Sequence, residues 1–215
     1  MTSYKIACIP GDGIGKEVVP EGIRVVDAAA SKHGVSLTWT HFDWSCETYI
    51  NTGQMMPEDG LAHLKEFDAI FLGAVGFPGV PDHVSLWGLL IPIRREMQQY
   101  VNLRPVKILK GMTSPLLNRG PDDIDMLVVR ENNEGEYSEI GGRVYEGTDD
   151  ELVVQESVFT RKGVDRILRY AFELAMLRPA KHVTSATKSN GIIHTMPYWD
   201  ERFRVMADAY PEIRT

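Results

Sequence analysis

Apolar and polar positions along the chain change period repeatedly, and each change marks an element. Residues 4–9 (YKIACI) form a short apolar run, as a strand buried on both faces requires. The glycine turn PGDGIG follows, and Val18, Val19, Ile23, Val26 and Ala30 then recur at helical spacing. Pro20 lies inside that helix and predicts a kink or a late start. Residues 37–42 and 67–74 read as further strands, with Leu61 and Leu64 on a short helix between them. After a Gly/Pro-rich loop (VGFPGVPDHVSLWG), Leu90, Ile93, Met97 and Tyr100 return to helical spacing.

In the second half, Arg104 precedes Pro105 and is biased towards extended backbone. Residues 106–109 and 125–130 read as strands, and the polar, glycine-rich run 131–151 as a loop or an arm. Residues 152–159 predict another strand. Thr160 then suits the cap of a helix carrying Val164, Ile167, Leu168, Ala171, Phe172 and Ala175. Residues 182–186 predict a strand, followed by TKSNG and a helix through Trp199, Phe203, Met206 and Ala207. Strands alternating with helices, without repeats or long linkers, predict an α/β fold. The chain stops at PEIRT, after a helix, where this alternation calls for another strand; the expectation is a protein truncated at its C-terminus.

Composition narrows the function. Net charge is -7 over 215 residues, which argues against nucleic acid or an anionic membrane as partner. No run approaches ~18 consecutive apolar residues and no signal peptide precedes the first strand, so a cytoplasmic location is expected. Two cysteines, Cys8 and Cys46, make no disulfide framework, and Cys8 falls in a predicted buried strand as an inert thiol. An acidic protein that binds an anion must gather cations locally, which directs attention to arginines.

Gly11-Asp12-Gly13-Ile14-Gly15 stands between a strand and a helix, but a GxGxxG dinucleotide fingerprint needs glycine where Lys16 stands. A structural turn is the simpler reading, although Asp43 lies near the distance of a ribose-binding acid. Arg94, Arg104 and Arg130 offer three rigid forks that match carboxylates. Taken one at a time, each reads equally well as an ion-paired surface residue. Tyr137, in a polar glycine loop, offers a proton or simply packs its ring. Lys188, just after a predicted strand, is a general base if its pKa is lowered, and a surface lysine otherwise. Asn190 orients a cofactor amide or caps the next helix. None of His33, His41, His63, His83, His182 and His194 shows metal-ligand spacing. Asp122, Asp123 and Asp125 read as a turn after Gly-Pro, and Asp149 and Asp150 as a solvated one.

In order, the segments IPGDGIGKEV, FDAIFLGAVGFP, LLIPIRREMQQYVNLRPVK, VVRENNEGEYS, QESVFTRKGVDRILRYAFELA and TSATKSNG resemble the isocitrate/isopropylmalate dehydrogenase family over essentially the whole chain. The details DHVSLWG, QYVNLRPV and GGRVYEGT are most similar to its tartrate/D-malate branch. The resemblance implies a two-domain α/β fold that is not a Rossmann fold. Residues 1–103 would belong to the first domain and 104–215 to an incomplete second, with 137–160 as a dimer arm. It implies NAD-dependent oxidation and decarboxylation of a small 2-hydroxy diacid, assisted by Mn2+ or Mg2+; 3-isopropylmalate or isocitrate remain alternatives, as does a fragment acting only in dimerisation. Arg94, Arg104 and Arg130 match the family's substrate-carboxylate arginines, Tyr137 its proton donor, and Asn190 an asparagine near the nicotinamide. Lys188 matches the lysine that works in the partner subunit's active site of a homodimer. The family's metal-binding aspartates fall beyond Thr215, so the chain by itself is expected to be inactive. Trp87 stands where isopropylmalate enzymes tend to carry an acidic residue, and Ser85 is a loose counterpart of a serine that isocitrate enzymes carry close to the substrate; the bulk of Trp87, with Leu90 nearby, implies a compact substrate.

Overall fold

A computed structural model describes residues 2–121 and 123–215, so Asp122 of the predicted turn lies outside the described residues. These residues form two compact units, Met1–Met97 and Gln98–Thr215.

In the first unit, β1 (Thr2–Gly11), β2 (Val35–His41) and β3 (Ala69–Ala74) build a parallel sheet in the order β2-β1-β3. The central strand pairs Cys8 with His41 on one side and with Phe71 on the other. Ala7, Cys8 and Ile9 are completely buried, which explains the apolar run that marks this strand. Burial in turn pushes the Cys8 thiol up, so it stays protonated and inert.

Helix α1 (Gly15–Lys32) starts directly after the glycine turn with Pro20 inside it, which rules out a late start. The proline forfeits one helical hydrogen bond. The helix also lies close to the sheet, because a Cβ on Gly22 would stand 2.8 Å from the Phe71 ring. α2 (Cys46–Thr52) has no apolar period and escapes a periodicity reading. Its signals are Ser45, whose side chain accepts from the Thr48 amide at 3.1 Å, and Gly53, left-handed at φ 81°. α3 (Gly60–Leu64), α4 (Asp82–Ser85), a π-helical turn (Leu86–Leu90) and α5 (Ile91–Glu96) complete the unit. The helix expected to reach Tyr100 ends earlier, because Gln98 turns left-handed at φ 51°.

In the second unit, β4 (Val101–Lys107) and β5 (Asp125–Glu131) form an antiparallel ribbon. β4 starts before the predicted 106–109 and takes in Arg104 and Pro105. Proline is tolerated because a two-stranded ribbon leaves free edges. The arm region becomes a second ribbon, β6 (Gly141–Val144) and β7 (Leu152–Gln155), shorter than the strand expected over 152–159. α6 (Arg161–Met176) starts at the expected Thr160 cap, and α7 (Thr195–Ala209) packs on it around Phe172, Leu168 and Met206. The Arg202 guanidinium fork donates to Asp165 at 2.7 and 2.9 Å and locks the two helices together.

The strand predicted over 182–186 does not form. One parallel bridge joins His182 to Arg214, and a strand without a continuous ladder has nothing to satisfy its amides. The segment 183–190 is an irregular strap instead.

Candidate active site

The glycine turn of the first unit is held by packing. Gly11 and Gly13 take positive φ of 73° and 48°. A Cβ on Gly15 would stand 2.1 Å from the Pro10 carbonyl oxygen and 2.7 Å from the Ala74 amide nitrogen. Between these glycines sits Asp12, 1% exposed. Its carboxylate accepts from the amides of Cys46 and Gly76, both at 3.1 Å, and of Glu47 at 3.4 Å. Burial alone would raise its pKa, but these donors outweigh burial and leave it below the ordinary carboxylate value. Burial, followed by the neighbouring Asp12, pushes the Cys46 thiol up to about 11. The motif thus ties the first turn, α2 and the loop after β3 into one knot. Arg94 is half-buried in the last turn of α5 in this unit. Its neighbour Arg95 lies over the Trp87 ring at 4.9 Å.

The second unit assembles two of the expected arginines. The register pairs Asn102 with Arg130 and Arg104 with Val128. Side chains two residues apart on a strand share a face, so Arg104, Asn102 and Arg130 all lie on one face of the ribbon. Arg104 is exposed, and its Nε donates to Asn102 Oδ1 at 3.2 Å; Asn102 Nδ2 in turn donates to Asn132 Oδ1 at 3.4 Å.

The half-buried Arg130 lies with its guanidinium 5.2 Å from the centre of the Tyr137 ring. Both line a pocket of about 200 Å³ shared with Glu131, Glu134, Phe159 and Trp199. Tyr137 sits on a 3-10 turn (Glu136–Ser138). Its entry is fixed by Gly135, whose amide donates to the Val158 carbonyl at 2.9 Å and whose φ of 78° suits glycine.

Two features of this pocket escape sequence reasoning. Glu131 accepts from Arg166 Nη2 at 3.0 Å, while Arg166 also lies over the Tyr100 ring at 4.7 Å. Glu131 Oε2 and Arg166 Nε are buried and find no hydrogen-bond partner among the described residues. The pair is separated by 35 residues, and no local spacing signals it. Glu134, in turn, accepts from the Thr160 amide at 3.0 Å and the Thr160 hydroxyl at 2.6 Å. That carboxylate occupies the N-terminal end of α6, where helix dipoles favour negative charge. It fits only because residue 163 is glycine: a Cβ there would stand 2.1 Å from Glu134 Oε2.

Neither Lys188 nor Asn190 lines the pocket among the described residues. Both are exposed in the strap before α7. A larger cavity of about 780 Å³ between β5, α6, the strap and α7 is lined by none of the six expected site residues. Among the described residues, no three His, Cys, Asp or Glu side chains gather in a way that could hold a metal ion, so these residues do not fit a metal centre. No helix among them is long and apolar enough to cross a membrane.

Comparison with known proteins agrees with this architecture. The sequence profile of the isocitrate/isopropylmalate dehydrogenase family matches residues 5–215, and the chain belongs to that family. It is 62% identical over its whole length to D-malate dehydrogenase [decarboxylating] of Escherichia coli (strain K12), covering 60% of that protein. It is also 59% identical to tartrate dehydrogenase/decarboxylase of Pseudomonas putida, over 98% of this chain and 58% of the relative. Among solved structures, isocitrate dehydrogenase from Methylococcus capsulatus superposes with a TM-score of 0.82 at 29% identity, over 98% of this chain and 59% of that one. The chain therefore spans about 60% of the length of the curated relatives it matches.

Proposed function

We propose that this chain belongs to an NAD-dependent enzyme that oxidises a small 2-hydroxy diacid, D-malate or tartrate, and releases CO2 from it. The observation that carries this reading is the Arg130 guanidinium over the Tyr137 ring at 5.2 Å, with Arg104 on the same ribbon face. Cations beside a phenol suit a substrate with carboxylates and a carbon awaiting a proton. The names of the relatives at 62% and 59% identity support the same chemistry.

In this reading Arg94, Arg104 and Arg130 are the residues that take the substrate carboxylates. Lys188 takes the proton of the C2 hydroxyl as hydride leaves C2. The C–C bond to the second carboxylate then breaks, CO2 departs, and its electron pair remains on carbon. Tyr137 delivers the proton that completes the product. NAD supplies the hydride acceptor, and the Asn190 carboxamide has the donor and acceptor chemistry to meet a nicotinamide amide. The reading includes Mn2+ or Mg2+, with no ligand assigned in this chain.

The reading also includes a homodimer in which Lys188 serves the partner's site, an assembly of the cytoplasm. Val144, Leu152, Val153 and Val154 leave 41–64% of their surface exposed on the β6–β7 ribbon, which supports that ribbon as the dimer arm.

The test is NADH formation and CO2 release by the protein as its own cell makes it, with D-malate, tartrate and 3-isopropylmalate, before and after Arg130→Ala. Turnover on the first two, lost with the arginine while the fold stays intact, is the expected result. A protein that forms no NADH with any of these diacids, at any divalent metal supplied, is not this enzyme.

A further inference from the structure

Asp200 is an aspartate in the interior of α7, where this residue type is a poor helix former. Its carboxylate is engaged elsewhere. The Thr187 hydroxyl donates to Asp200 Oδ1 at 2.8 Å, and the Ser189 hydroxyl donates to Asp200 Oδ2. These two hydroxyls belong to the residues immediately before and after Lys188. They also lie 2.9 Å from each other. One residue earlier on the same helix, the Trp199 indole N–H donates to the Ser185 hydroxyl at 3.0 Å. Beyond Lys188, its own carbonyl accepts from the amides of Gly191 at 3.0 Å and Ile192 at 2.9 Å.

The strap around Lys188 has no ladder of its own, yet α7 fastens it on both sides of the lysine. Both neighbours turn towards the same carboxylate, while Lys188 itself is exposed. We propose that Asp200 is a positioning residue for Lys188: it clamps the two flanking hydroxyls and so fixes where the amine leaves the strap. The proposal rests on the general-base reading of Lys188. The hydroxyls of Ser189 and then Thr187 hold the Asp200 carboxyl below its ordinary value, so the clamp is ionised at neutral pH. A lysine on an unfastened loop samples many directions, and a misplacement of about 1 Å costs on the order of 10²-fold in rate.

The experiment is a double-mutant cycle in the enzyme as its cell makes it, with Lys188→Ala, Asp200→Ala and the pair. Asp200→Ala is expected to lower kcat by roughly 10- to 100-fold at nearly constant KM. It is expected to lower nothing further in the Lys188→Ala background, because the clamp acts through the amine. Asp200→Asn, which keeps an acceptor and a donor for the two hydroxyls, restores most of the rate. Amides 185–192 exchange hydrogen faster in Asp200→Ala while α6 stays protected. If Asp200→Ala does not fold, Thr187→Val with Ser189→Ala removes the clamp from the other side. Equal losses from Asp200→Ala in both backgrounds, or unchanged exchange in the strap, overturn the proposal. Full turnover by Lys188→Ala overturns the general-base reading itself, a separate outcome.

Discussion

Two carboxylates, one in each unit, are treated in opposite ways. In the first unit, the buried Asp12 accepts from three backbone amides that belong to two segments brought together by the fold. In the second, the half-buried Glu131 pairs with Arg166 but leaves Oε2 buried and without a hydrogen-bond partner among the described residues, beside the pocket of Arg130 and Tyr137. Natural proteins satisfy almost all buried polar groups, so an exception points to a role other than stability. The difference separates Asp12, which serves architecture, from the Glu131 neighbourhood, which borders the pocket to which the proposed function assigns the chemistry.

Substitutions can break this contrast, and the strongest should be Tyr137→Phe. It removes the hydroxyl to which the proposed function gives the proton transfer and is expected to lower kcat by about 10³-fold with little change in the unfolding midpoint. Unchanged turnover would place the pocket outside the chemistry. Asp12→Ala should do the reverse: it strands three amides and is expected to cost about 3 kcal/mol of stability, measured by denaturant titration. A variant as stable as the parent would sink the knot.

Acid sharpens the comparison. Asp12 has a folded pKa below its unfolded value of 3.8, so its contribution is full above that value and fades as pH falls through the lower folded one. Asp125 and Glu212 behave likewise in the second unit, held low by Arg178 and by Lys181, but both are exposed. Raising salt at pH 5 should therefore weaken the exposed pairs and leave the buried knot unaffected, as read by hydrogen exchange in peptides from each unit. Equal salt sensitivity in both would remove the distinction. The smallest effect is expected from Val153→Lys, on a side chain 64% exposed: within about 0.5 kcal/mol in stability, with loss of dimer by sedimentation. A dimer that survives the lysine does not use this ribbon.

Sequence alone carried much of the fold wherever burial imposes a period. Ile6, Ala7, Cys8 and Ile9 announce β1 because both faces are covered there, and the apolar spacing from Val164 to Ala175 announces α6 because one face meets α7. The strap at 182–186 was misread because its apolar residues pack without a ladder. α2 was missed because its ends, rather than its face, define it. In the candidate site, Arg104, Arg130 and Tyr137 stand out by residue type, but each reads equally as a surface or packing residue, and only the family resemblance gives them roles. Register explains why the two arginines share a face, since 104 lies opposite 128. Arg166 and Asp200 stayed hidden: their partners are distant in sequence or lie in irregular backbone, where no period applies.

The fit between Glu134 and Gly163 constrains how this protein can drift. A side chain at 163 would press on the carboxylate that holds the Thr160 amide and hydroxyl, and the acid, at the end of a flexible side chain, would have to shift, loosening the loop that leads to Tyr137. The two positions are therefore coupled: a larger residue at 163 obliges the acid to move aside or to be shortened. An alanine is accommodated most easily once the acid has been shortened, so the order of substitutions, and not just their identity, bears on which descendants keep this loop in place.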